Sequence, residues 1–314
     1  MNYHQINFLK IEEDRYAFFD VFHKDNKIIF ICPVYVKNQN PYLLKIKDKH
    51  NNIYLQNPTV YLRDNYEPIC IIIYDFKSDN ILNEFVCEYE DKYLDIILLN
   101  YKSSKKYTLT QTTLFKDDYN LINIFIDYYD KQGVEKYIFY YNGNSTDEIK
   151  NICNRENILL IDWNFKYWNS NSIYLHHAQI GQIHHALYKY GKNETEYMIF
   201  NDLDEYMHIP NIKLIEILNS NANTYIFQNC WAKTLDNTVD LHSPKTLKIG
   251  NPLKYPNRSK CIHKVDDIIY LGIHLARKYT VNNPIIINDS YKLLHFYSWS
   301  NLSRVEKTGK LFYI

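Results

Sequence analysis

Between residues 16 and 102 short apolar runs alternate with polar breaks: YAFFDVFHK, IIFICPVYV, YLLKIKDK, IYLQ, VYLRD, ICIIIYDF, EFVCEYE and YLDIILLNY. Runs spaced about 8 to 12 residues apart, rich in β-branched and aromatic side chains, fit a β-sandwich. KDNK, KDKHNN and KSDN between them carry turn chemistry. This stretch holds no cluster of catalytic residue types. Residues 1–104 are therefore expected to form a β-rich, sandwich-like domain used for support, acceptor docking or partner binding.

The rhythm changes at YKSSKKYTLTQTTLFK, a polar stretch running into a strand expected at about 107–115. Beyond it strands and helices alternate. DDYNLINIFIDYYDKQG places Leu121, Ile122, Phe125, Ile126 and Tyr129 on one helical face, with Asp117 or Asp118 able to cap its start and Gly133 placed to end it. KYIFYY reads as a buried strand, and STDE after it as a capping box with Ser145 as N-cap and Glu148 three residues on. A short helix to about Glu156 and the strand ILLID follow. Ile173, His177, Ile180, His184 and Leu187 then recur at helical spacing before Gly191. EYMIFNDLDE closes the series as a strand with an acidic end. Such alternation predicts an α/β domain over 105–314 with a largely parallel sheet. In such a sheet ligands bind beyond the carboxyl ends of the strands. Lys116 and Asp117, Asn142, Asn144 and Ser145, Asp162, and Asp202 and Asp204 are expected to share one polar edge.

Composition narrows the classes. An apolar fraction of 46% is enough for a sizeable core, and 36 basic against 36 acidic residues give no electrostatic case for a nucleic acid partner. The start, MNYHQINFLKIEEDRYAFF, lacks the charged, apolar, small order of a secretory signal. No run approaches the roughly 18 apolar residues of a membrane span, so a cytoplasmic location is expected. Cys32, Cys70, Cys87, Cys153, Cys230 and Cys261 form no CxxC pair and read as buried free thiols. The Asn-x-Ser/Thr sites at Asn144, Asn193, Asn257 and Asn301 accordingly read as chance in an Asn-rich chain.

FNDLDEYMHIP sets Asp202, Asp204 and Glu205 directly behind a buried run. Neighbouring carboxylates repel and raise one another's pKa, so a cation is expected between them. Alternate carboxylates at a strand end converge on one point and suit hard cations such as Mg²⁺ or Mn²⁺. The competing reading is a solvated acidic turn, which the buried strand disfavours. A phosphohydrolase of the aspartyl-phosphate type ranks lower because Tyr206 stands where Thr or Val is usual.

The ordered series FKDDYNLINIFIDYYDKQGVEKYIFYYNGNSTDE, AQIGQIHHALYKYG and TEYMIFNDLDEYMHIP resembles glycosyltransferase family 92 over roughly residues 107–300. NRSKCIHKVDDIIYLGIHLA and YKLLHFYSW resemble the family's basic strand and its two late histidines. The resemblance implies a GT-A-like (Rossmann-like) catalytic domain that binds a nucleotide diphosphate sugar, expected to be a UDP-sugar, with Mn²⁺ or Mg²⁺. It carries the metal role to Asp202 and Asp204, completed by His274 or His295, with His274 preferred. Asp202 is also able to reach the ribose, and Glu205 takes a supporting role. Lys116-Asp117-Asp118 stands where the family has Asn-Glu, and His184-His185-Ala186 where it has Asn-His-Cys. Lys116, Asp117 and Gln179 are thereby expected at the donor.

From their own placement, Asn142 and Asn144 suit ribose, base or phosphate contacts, and Arg258 and Lys260, alternating along a strand, suit diphosphate oxygens. Asp236 is the expected base of an inverting displacement, with Asp240 and His242 nearby. Trp231 and Trp299 are able to stack on a sugar ring. His176, His177, His184 and His185 are expected to pack rather than to bind a second metal. The expected activity is metal-dependent transfer of a sugar from a nucleotide diphosphate sugar to a glycan or glycoprotein acceptor. The alternative is a non-catalytic carbohydrate-binding or structural protein on the same fold.

Overall fold

The computed structural model describes residues 3–4, 6–36, 40–218, 221–234, 247–253, 257–281 and 283–296. Its contacts group the chain into two units, one of residues 4–106 and 162–194, the other of residues 1–3, 107–161 and 195–314. The change of rhythm along the sequence suggests one boundary, at 104/105; residues 162–194 instead group with the N-terminal strands. Among the described residues no helix is long and apolar enough to cross a membrane.

The first unit is β-rich, with an eight-stranded sheet among its described residues. Asp20–Lys24, Lys27–Cys32, Ile69–Asp75 and Thr59–Arg63 form one antiparallel half. Ile53–Tyr54, Leu44–Asp48, Leu82–Tyr89 and Lys92–Tyr101 form the other. A two-residue parallel pairing, Asn100 with His23 and Tyr101 with Lys24, joins them. Val21, Phe30, Cys32 and Ile72 from one half and Ile46, Phe85, Cys87 and Leu98 from the other share one core. Alternation along Leu82–Tyr89 and Lys92–Tyr101 turns every second side chain inward.

The helix expected from Ile173 starts later, at Ala178, and runs to His185. Tyr174–His177 is a strand instead, pairing Tyr174 with Tyr35 and Leu175 with Val34, a non-local contact that overrides the helical spacing. His184 and His185 are fully buried. Nδ1 of His184 meets the Ile180 carbonyl at 2.7 Å, and Nε2 of His185 meets buried Asp20 at 2.7 Å. Lys189 Nζ donates to the same Asp20 oxygen at 2.6 Å.

The second unit is α/β. β1 (Tyr107–Phe115) is parallel to β2 (Lys136–Tyr141), and helix α1 (Ile122–Lys131) makes the crossover that parallel strands require. Ile122, Phe125, Ile126 and Tyr129 are all buried on its inner face, and Leu121 packs beside them. Asp118 makes no side-chain cap to the single 3₁₀ turn that precedes the helix. Helix α2 (Asp147–Ile152) is capped by Thr146 rather than Ser145: Thr146 has the extended backbone of an N-cap, and its hydroxyl accepts from the Ile149 amide. The strand β3 (Ile158–Asp162) follows, next to β2.

β4 (Thr195–Phe200) is parallel to β1, whereas β7 (Lys260–Lys264) is antiparallel to both β4 and β6 (Thr224–Thr234). β8 (Ile285–His295) runs parallel to β6 and pairs antiparallel with β5 (Glu205–His208) at the sheet edge. The sheet is thus mixed rather than largely parallel.

Gly133, just past α1, has φ +91°, and a Cβ there would lie 2.6 Å from Cγ2 and 2.8 Å from Cβ of Ile215. Gly133→Ala combines left-handed strain with overpacking. It is expected to cost about 2–4 kcal/mol in urea unfolding.

Candidate active site

The buried residues of β4, Tyr197 to Phe200, run into a turn that sets Asp202, Leu203 and Asp204 before β5 resumes at Glu205. The turn is held from several directions. Asn201 Nδ2 donates to the Glu205 carbonyl at 2.7 Å, and the Tyr129 hydroxyl donates to that carbonyl at 3.0 Å. The Asp202 amide donates to Glu205 Oε2 at 2.9 Å, and the Phe296 amide to the Asp204 carbonyl at 2.8 Å. Carboxylates that repel are kept together by backbone bonds and by a buried asparagine.

Two cationic groups meet them. Because β7 is antiparallel to β4, with Ile199 opposite Ile262, its first residue comes level with the turn. Buried Lys260 places Nζ 3.2 Å from Asp202 Oδ2 and 3.3 Å from Glu205 Oε2. Because β8 is parallel to β6, with His295 opposite Trp231, its last residue reaches the same edge. There His295 Nε2 stands 3.3 Å from Asp204 Oδ2, and Nδ1 stands 3.7 Å from Glu205 Oε1. Asn229 Oδ1 meets His295 Nδ1 at 3.1 Å. The Trp231 ring lies 4.6 Å from the imidazole, and the Arg258 guanidinium 5.4 Å from that indole.

The electrostatics follow from burial and pairing. Burial pushes Glu205 up to about 7, against the pull of Lys260. Burial disfavours the Lys260 ammonium, but Asp202 and Glu205 outweigh it and raise its pKa. His295 is likewise raised: burial opposes its charge, and Asp204, then Glu205, overcome it. Lys260 thus stands between Asp202 and Glu205, and His295 between Asp204 and Glu205.

Parallel pairing of β1 with β2 and with β4 brings the ends of all three strands to one edge, so Lys116, Asp117, Asn142 and Asn144 follow strands that finish on the same side as Asp202. Lys116, Asp117 and Asn144 are exposed there and Asn142 is half-buried. Arg258 lies in a turn with φ 51°, two residues before β7, not along a strand. His274 is half-buried, its Nδ1 3.1 Å from the Ser259 carbonyl. Gln179 belongs to the first unit, where its Oε1 accepts from the Tyr167 hydroxyl at 2.8 Å. Asp236, Asp240, His242 and Trp299 lie outside the described residues. Sequence reasoning missed Asn201 and Asn229; a polar residue inside an apolar strand, as in YIFQNCWA, was the available signal for the second.

Among the described residues, no three His, Cys, Asp or Glu side chains are grouped so as to hold a metal ion by themselves. A cation of the Mg²⁺ type asks for less, since it binds through one or two carboxylates and takes its other oxygens from water and substrate phosphate. Asp202, whose side chain is 40% exposed, and Asp204 are carboxylates of the kind such a cation takes.

The model of glycosyltransferase family 92 matches residues 105–307, a stretch that contains every residue of this edge. No curated protein matches the chain.

Proposed function

The chain belongs to glycosyltransferase family 92, and from that premise we propose that it moves a sugar from a nucleotide diphosphate sugar, expected to be a UDP-sugar, to a glycan or glycoprotein acceptor at the edge bearing Asp202 and Asp204. One observation carries the reading: an acidic turn, a buried lysine and a histidine from three distant strands converge where parallel strands end. In this reading the second unit is the GT-A-like, Rossmann-like part and the β-rich first unit its companion. Asp202 and Asp204, with His295 beside them, hold Mn²⁺ or Mg²⁺. When bound, such a cation supplies Lewis-acid stabilisation of charge on the departing diphosphate.

The chain's own groups do the rest. Lys260 turns hydrogen bonds now made to Asp202 toward diphosphate oxygens, and Arg258 adds a second cation from the turn before it. Asn142 and Asn144 offer amides to the ribose or base. Trp231 presents an aromatic face for stacking. Asp236 takes the acceptor hydroxyl proton in an inverting displacement.

The test is nucleotide diphosphate release from a panel of nucleotide sugars in Mn²⁺, with and without acceptor glycans. Release from at least one donor, abolished by EDTA and restored by Mn²⁺, is expected. Glycan binding without release from any donor would overturn the reading in favour of a non-catalytic protein.

A further inference from the structure

Asn229 is fully buried on β6, its Oδ1 stands 3.1 Å from His295 Nδ1, and its Nδ2 has no hydrogen-bond partner among the described residues. The pairing of Asn229 with Leu293 and Trp231 with His295 brings the amide to the imidazole through backbone register. Trp231 covers one side of that ring at 4.6 Å. Nε2 faces Asp204 Oδ2 at 3.3 Å.

The two imidazole nitrogens differ, and the hydrogen bond made by one decides what the other offers. Histidines that bind metals nearly always donate their second N–H to an oxygen of the protein. An amide buried with its own N–H₂ unpartnered lowers stability, so a leucine would serve packing better at this position.

We propose that Asn229 is a positioning residue for His295. By accepting the hydrogen bond from Nδ1–H, it fixes the ring with Nε2 toward Asp204, so that a divalent cation arriving there would displace the Nε2 proton and meet an oriented Asp204–His295 pair. The inference rests on the cation reading above and adds the residue that orients its histidine.

The full chain, freed of metal, is titrated with Mn²⁺ alone while the electron paramagnetic resonance signal of free Mn²⁺ is followed. Asn229→Leu is expected to weaken binding about 10–100-fold, whereas Asn229→Asp, which keeps an acceptor oxygen, stays at wild-type affinity or tighter. In ¹⁵N-histidine spectra of the metal-free chain at neutral pH, a slowly exchanging His295 Nδ1–H signal is expected, lost in Asn229→Leu. That readout does not depend on activity, and a merely structural asparagine would not move it. Mn²⁺ uptake by Asn229→Leu equal to wild type, or a His295 Nδ1–H signal that persists unchanged in Asn229→Leu, overturns this inference alone. Absence of Mn²⁺ uptake by the wild type overturns the cation reading and this inference with it.

Discussion

Asp204→Asn is expected to lower turnover by at least about 100-fold, the upper end of what losing even an outer partner costs a metal site, while the protein still folds. The substitution keeps the shape of the side chain and the backbone bond from the Phe296 amide to the residue 204 carbonyl, but removes the charge that faces His295. Mn²⁺ affinity and turnover should therefore fall together. Glu205→Gln should affect turnover less: burial already pushes this carboxyl up to about 7, so near neutrality it is only partly charged. Initial rates and melting curves, each with and without Mn²⁺, decide the matter. If Asp204→Asn merely relieved repulsion, the protein would melt higher, with Mn²⁺ affinity and turnover unchanged, and the acidic turn would be no more than a turn.

Acidification is expected to unfold the β-rich unit well before its carboxylates titrate. Burial holds His176, His177, His184 and His185 down to about 4. Their folded pKa values lie below the unfolded value, so as pH falls the unfolded chain takes up protons first. The stabilisation is whole above about 6.5 and is lost progressively toward about 4. One pKa unit is worth about 1.4 kcal/mol, so a histidine held from about 6.5 down to about 4 contributes on the order of 3 kcal/mol. His184 and His185, both fully buried, together amount to about 6 kcal/mol, inside the range of about 5–15 kcal/mol for a whole domain. Asp20 does not share this weakness, because Lys189 and His185 outweigh its burial and hold its carboxyl far below the usual range. A melting temperature that falls steeply below about pH 6, with a shallower fall in His184→Gln, is the expected result. A flat profile from neutrality to the carboxylate range would show that these histidines stay accessible to protons in the folded state.

Several features were legible because they depend on neighbours in sequence. The inner face of α1, with Ile122, Phe125, Ile126 and Tyr129, follows from helical spacing. The buried strands β2 and β4 and the acids behind β4 follow from continuous apolar runs ended by polar residues. The ordered motifs from FKDDYNL to NDLDE pointed to the family that the match over residues 105–307 shows. Local ambiguity already caused misses of a residue or a few. Thr146 rather than Ser145 caps α2, because the backbone turns extended at that residue. The helix expected from Ile173 begins at Ala178, because Tyr174 and Leu175 find partners in a distant strand.

By itself, then, the sequence determined where strands end in acid and which helix faces are apolar, since periodicity is a property of adjacent residues. Which groups answer that acid was settled only by the tertiary structure. Lys260 lies 58 residues from Asp202, and Asn229 lies 66 from His295. Their meeting depends on β7 running antiparallel to β4 and on the register between β6 and β8. His295 rather than His274 stands against Asp204 for the same reason: β8 ends beside Trp231 at the shared edge, whereas the His274 ring is bonded to the Ser259 carbonyl. A one-residue slip in a strand would turn each of these side chains to the other face of the sheet, and no local pattern in the chain specifies that register.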